Sequence, residues 1–65
     1  MKLTINGECA ESYAKTVKEL LEELKILPVR VAVEVNLTIV KRNDYPSYVL
    51  REGDMVEIVN LVGGG

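Results

Sequence analysis

Apolar and polar residues alternate at the start of the chain and then change to a spacing of three and four. From Lys2 to Asn6, Leu3 and Ile5 share one face while Lys2 and Thr4 share the other. That period of two belongs to a half-buried strand. Asn6-Gly7 follows at once. A type I′ hairpin turn needs positive φ at both central positions, which favours this pair. A second strand, about Glu8 to Tyr13, is expected to return antiparallel to the first. Thr16-Val17-Lys18-Glu19 has the form of a capping box, in which the Thr16 hydroxyl accepts from the Glu19 amide and the Glu19 carboxylate reaches the Thr16 amide. Val17, Leu20, Leu21 and Leu24 then recur as one helical stripe. Pro28 disfavours the α region at Leu27, so the helix should end by about Lys25 or Ile26, with Lys25 complementing the helix dipole.

Alternation resumes at Val31-Ala32-Val33-Glu34-Val35, with the valines on one side. Asn36 is expected to turn the chain into a short strand, Leu37 to Val40. Residues 41–48 are polar and include Pro46, which suggests a loop with one helical turn; Tyr45 and Tyr48 are expected to cover the sheet's edge. After a turn at Glu52-Gly53-Asp54, a last strand is expected over Met55 to Val62. If Val56 and Ile58 face the helix, then Met55, Glu57, Val59 and Leu61 lie on the outer face. Three apolar side chains on a solvated face suggest a place where a partner sits. The order is two strands, a helix and further strands, an α+β arrangement with one helix across a sheet.

Composition narrows what such a fold can do. Sixty-five residues with one cysteine and no histidine form no internal disulfide, Cys/His metal site or Ser-His pair. A chain this short buries only about 60% of its unfolded surface and hardly encloses a substrate pocket. Cys9 is most simply an ordinary strand residue and Lys41-Arg42 a solvated loop. A net charge of −2 with mixed signs does not suit nucleic acid, and no apolar run approaches a membrane span. The start lacks the apolar block of a signal peptide, so a cytoplasmic location is expected. The chain closes on Gly63-Gly64-Gly65. Glycine has no Cβ, so three in a row give a thin segment that suits a narrow active site in another protein. The same segment also fits an inert, flexible end.

Strand, Asn-Gly turn, Thr-capped helix, valine-rich strand, Gly-Asp turn and a strand ending in glycines together resemble the β-grasp order of ubiquitin-like proteins. Three segments resemble the ThiS family of sulfur carriers in thiamine thiazole biosynthesis. They are Thr16-Val17-Lys18-Glu19-Leu20-Leu21, Val31-Ala32-Val33-Glu34-Val35-Asn36 and Glu52-Gly53-Asp54-Met55-Val56-Glu57-Ile58-Val59 with the closing Val62-Gly63-Gly64-Gly65. The family often has Asn-Gly where this chain has Asn36-Leu37 and Pro where it has Lys41, which leaves the turn at 35–42 open.

The resemblance implies a β-grasp domain over 1–62, with a mixed sheet of four to five strands and one helix, and a flexible glycine tail over 63–65. It implies that a ThiF-type enzyme adenylates the Gly65 carboxylate with ATP and Mg²⁺. A sulfur donor protein then displaces AMP to leave a thiocarboxylate, which a ThiG-type thiazole synthase consumes. Gly63 and Gly64 would enter the partner's active site, and Met55, Val59 and Leu61 would form the docking face. The chain would be a protein co-substrate without a cofactor of its own, and not an enzyme. Three alternatives stay open: the same chemistry in another pathway, such as molybdopterin or other sulfur metabolites, an unreactive β-grasp interaction module, or ubiquitin-like conjugation to lysines.

Overall fold

Both turns expected from asparagine form, and each joins two neighbouring strands. The structure is a computed structural model that describes residues 1–61. Strands β1 (Lys2–Ile5) and β2 (Glu8–Glu11) pair antiparallel around Asn6 and Gly7, whose φ values are 50° and 84°. Strands β3 (Val31–Val35) and β4 (Thr38–Val40) do the same around Asn36 and Leu37. Leu37 is therefore a turn residue at φ 71° and not the first residue of β4. Strand β5 (Met55–Asn60) lies between the hairpins, parallel to β1 and antiparallel to β3. The five-stranded mixed sheet has the order β2-β1-β5-β3-β4, in agreement with the β-grasp expectation.

Helix α1 (Val17–Glu23) covers one face of this sheet. Its Val17, Leu20 and Leu21 join Leu3, Val31, Val33, Val35 and Val56 in the core. Each large aliphatic side chain buried this way contributes roughly 1.5–3 kcal/mol. Leu24 carries the same spacing but is partly exposed, so the buried stripe is one residue shorter than expected. The Val17 amide donates to Tyr48 O at 3.1 Å, the Lys18 amide to Tyr45 O at 3.0 Å and the Glu19 amide to Thr16 Oγ1 at 3.2 Å. The Glu19 carboxylate reaches one residue further back than a strict capping box, accepting from the Lys15 amide at 2.7 Å. Tyr45 is buried in the core instead of covering an edge, because residues 42–50 double back to cap the helix.

The helix ends before Pro28 has any influence. Lys25 adopts φ 61°, its amide donates to Glu22 O at 3.0 Å, and the Ile26 amide donates to Leu21 O at 2.8 Å. These two bonds make a Schellman motif, with Ile26 packed against the core as its apolar partner. Lys25 thus lies beyond the last turn. Strand β2 also stops two residues early. Ser12 is buried and turns inward; its amide donates to Met1 O and its hydroxyl to Glu23 Oε1.

Candidate functional site

The residues that could make a site specific to this chain lie on β5 and in the segment C-terminal to it. Val56 is fully buried and Ile58 packs against the core. The alternation therefore has the expected phase. Met55, Val59 and Leu61 stand on the opposite side, each at least half exposed. Strand β5 gains its position from both neighbours. The Thr4 amide donates to Asp54 O at 3.0 Å and the Asn6 amide to Val56 O at 2.8 Å.

Beyond Ile5 a side chain takes over this parallel ladder. Asn6 Oδ1 accepts from the Ile58 amide at 2.7 Å, and its Nδ2 donates to Ile58 O at 3.2 Å. The amide group acts as one more peptide unit of β1. On the other flank the Leu61 amide donates to Arg30 O at 2.8 Å, one residue past the end of β5. The chain is thus held in register up to Leu61. Gly63, Gly64 and Gly65 lie outside the described residues.

The outer face continues across the sheet. Register sets Val59 opposite Ala32, Glu57 opposite Glu34, and Glu34 opposite Ile39 of β4. Ile39 is 69% exposed and Leu37 is 81% exposed. Neither was assigned to this face from the sequence, although alternation with buried Val40 would have placed Ile39 there. The β3–β4 turn is fastened to β5 by Asn36. Its Oδ1 accepts from the Met55 amide at 3.0 Å and its Nδ2 donates to Asp54 Oδ1 at 3.0 Å.

The helix side carries acidic groups occupied in structural bonds. A shallow depression there is lined by Tyr13, Ala14, Glu19, Glu22 and Glu23. Glu19 caps Lys15, Glu22 pairs with Lys18 at 3.1 Å, and Glu23 holds Ser12 and the Tyr13 amide. Bonds from the Ser12 hydroxyl and then the Tyr13 amide lower the Glu23 pKa below the ordinary carboxylate value. Cys9 is exposed on β2 opposite Thr4. Among the described residues, no His/Cys/Asp/Glu group has the arrangement of a metal site, and no helix is long and apolar enough to cross a membrane.

Comparison with known proteins gives a consistent result. The profile of the ThiS family matches residues 3–65. The sulfur carrier protein ThiS of Thermus thermophilus is 41% identical over 61 residues, covering 94% of this chain and 95% of that protein. A thiazole synthase of Paramagnetospirillum magneticum is 47% identical over 66 residues; the match spans all of this chain but only 20% of that protein. The crystal structure of the thiamine biosynthesis protein ThiS from Geobacter metallireducens superposes with a TM-score of 0.86 at 33% identity, covering both chains completely.

Proposed function

Because the chain belongs to the ThiS family, we propose that it is a sulfur carrier of thiamine biosynthesis, with Gly65 as the residue that bears the sulfur. The observation that carries this reading is the direct succession of a central strand, an exposed apolar row and a glycine run. Strand β5, between the two hairpins, presents Met55 and Val59 outward, Leu61 follows just past its end, and the sequence continues as Val62-Gly63-Gly64-Gly65. The row supplies a surface for docking, and the glycines supply a segment thin enough to enter a partner's channel.

The chemistry is set by the group carried. An α-carboxylate is ionised at neutral pH and is a poor acyl donor. A ThiF-type enzyme, with ATP and Mg²⁺, joins one Gly65 carboxylate oxygen to the α-phosphorus and releases pyrophosphate. A sulfur donor protein carrying a persulfide then attacks the acyl carbon through its terminal sulfur and AMP leaves with that oxygen; a thiol cleaves the resulting acyl disulfide, giving the thiocarboxylate and a disulfide on the donor. The domain gives the sulfur an address, and the partner enzymes supply catalysis. The chain is thus a co-substrate.

Relatives named thiazole synthase support a ThiG-type enzyme as the sulfur acceptor. In those of Paramagnetospirillum magneticum and Magnetococcus marinus the matched segment makes up 20% of one longer polypeptide. A single chain in which a carrier-like segment accompanies a synthase is a natural arrangement for two groups that must meet. The reading is tested in the source organism by deleting the native copy and supplying the chain with or without Gly65. The intact chain is expected to restore growth without thiamine, and the chain lacking Gly65 is expected not to. Equal growth with both forms would contradict the assignment of Gly65.

A further inference from the structure

The outer face of the sheet is not uniformly apolar. At its centre, Glu34 of β3 and Glu57 of β5 stand directly opposite each other. Directly opposed residues on one face have Cβ atoms about 4.5–5.5 Å apart, and like charges at that separation destabilise the sheet. Among the described residues, no lysine or arginine forms an ion pair with either carboxylate; the two ion pairs present are Met1–Glu11 and Lys18–Glu22. Residues 62–65 contain no basic side chain that could neutralise them. Around this pair stand Ile39 opposite Glu34, Met55 and Val59 on either side of Glu57, and Ala32 opposite Val59. The isolated domain therefore sets two carboxylates opposite each other among exposed apolar side chains, with neither held in an ion pair among the described residues.

We infer that this face docks a partner protein whose surface presents an arginine within an apolar patch, with the guanidinium received between Glu34 and Glu57. The arginine's planar fork of donors can serve two carboxylates at once, while the apolar rim excludes water and limits screening. Charge decides between this occupant and a second copy of the chain. Two copies meeting through this face would set one acidic pair against another, which complementarity disfavours. The pair thus acts as a specificity element, attracting surfaces with a central cation and rejecting the domain's own face.

The choice of probe rests on the carrier reading: it is the purified ThiF-type adenylating enzyme of the same organism. Affinity is measured by calorimetry for the wild-type chain and for the Glu34→Gln/Glu57→Gln double variant, at about 50 and 500 mM NaCl. The intact mass of each chain is recorded after reaction with ATP and a sulfur donor. The double variant is expected to bind about tenfold more weakly at both salt concentrations, because a contact shielded from water is screened little. Its thermal midpoint is expected to stay level or rise, because the repulsion is gone. Equal affinity of the two chains at both salt concentrations, with the wild-type chain still gaining about 16 Da by exchange of O for S, would overturn the acidic-pair inference and leave the carrier reading standing. A wild-type chain that neither binds nor gains mass would overturn both. Concentration-dependent dimerisation of the wild-type chain, strengthened in the double variant, would identify a second copy as the occupant and also overturn the inference.

Discussion

Leu37 is the residue least suited to its place in the isolated chain. A bulky side chain at φ 71° sits in the left-handed region, where Cβ crowds the following carbonyl at a cost of roughly 1–2 kcal/mol. The side chain is also 81% exposed, so burial does not offset that strain. Leu37→Gly is expected to raise the thermal midpoint by about 4–8 °C for each kcal/mol recovered, measured by circular dichroism. Glu23 gives a prediction in pH. Its folded pKa is lowered, first by Ser12 and then by the Tyr13 amide. A group depressed in this way contributes stability above its unfolded pKa and loses it as pH falls through the folded value. Urea midpoints of the wild-type chain are expected to fall across that acidic window, and those of Glu23→Gln to fall less. The two features escape the sequence for different reasons. Leu37 takes the left-handed place that such a turn usually gives to glycine, whereas the bonds of Glu23 need Ser12 and Tyr13, which only the folded chain brings near.

Among the elements, the short helix supplies three fully buried side chains to the core. Val17, Leu20 and Leu21 are its only buried residues, and they meet the valine face of β3 and β5. Leu20→Ala is expected to cost about 2–5 kcal/mol. A domain of this size rarely holds more than about 3–5 kcal/mol from its core. The variant should therefore be largely unfolded at 37 °C by circular dichroism, and a folded variant of wild-type stability would contradict this packing. Thr16→Ala removes only the cap to Glu19 and is expected to cost about 0.5–2 kcal/mol. The helix, its cap and the strands are legible because each is written locally, in a period or a turn pair. The helix end is harder to read because Pro28 is conspicuous, whereas the Schellman stop depends on Ile26 finding Leu21 and the core. The burial of Tyr45 is illegible because residues 42–50 form no periodic element and take their place from the helix amides they cap.

For the whole molecule, the sheet sorts its two faces by task. One carries the helix and nearly all of the core, and the other sets exposed apolar residues around two carboxylates. The phase of β5 can be read from its alternation, so Met55, Val59 and Leu61 are legible as a surface row. Glu34 and Glu57 are visible as residues but not as a pair, because cross-strand register is a property of the assembled sheet. Val59→Asn is expected to cost about 1 kcal/mol of stability, the span of strand preference at a half-exposed site, while slowing sulfur loading by the adenylating enzyme. The claim on which the rest depends is that Gly65 receives sulfur. The direct test is the intact mass of the chain ending at Gly65 after incubation with ATP, Mg²⁺, the ThiF-type enzyme and a sulfur donor. A gain of about 16 Da, one O exchanged for S at the carboxylate, that disappears when Gly65 is deleted is the predicted result. An unchanged mass, under conditions where the same enzyme loads another carrier, would contradict it.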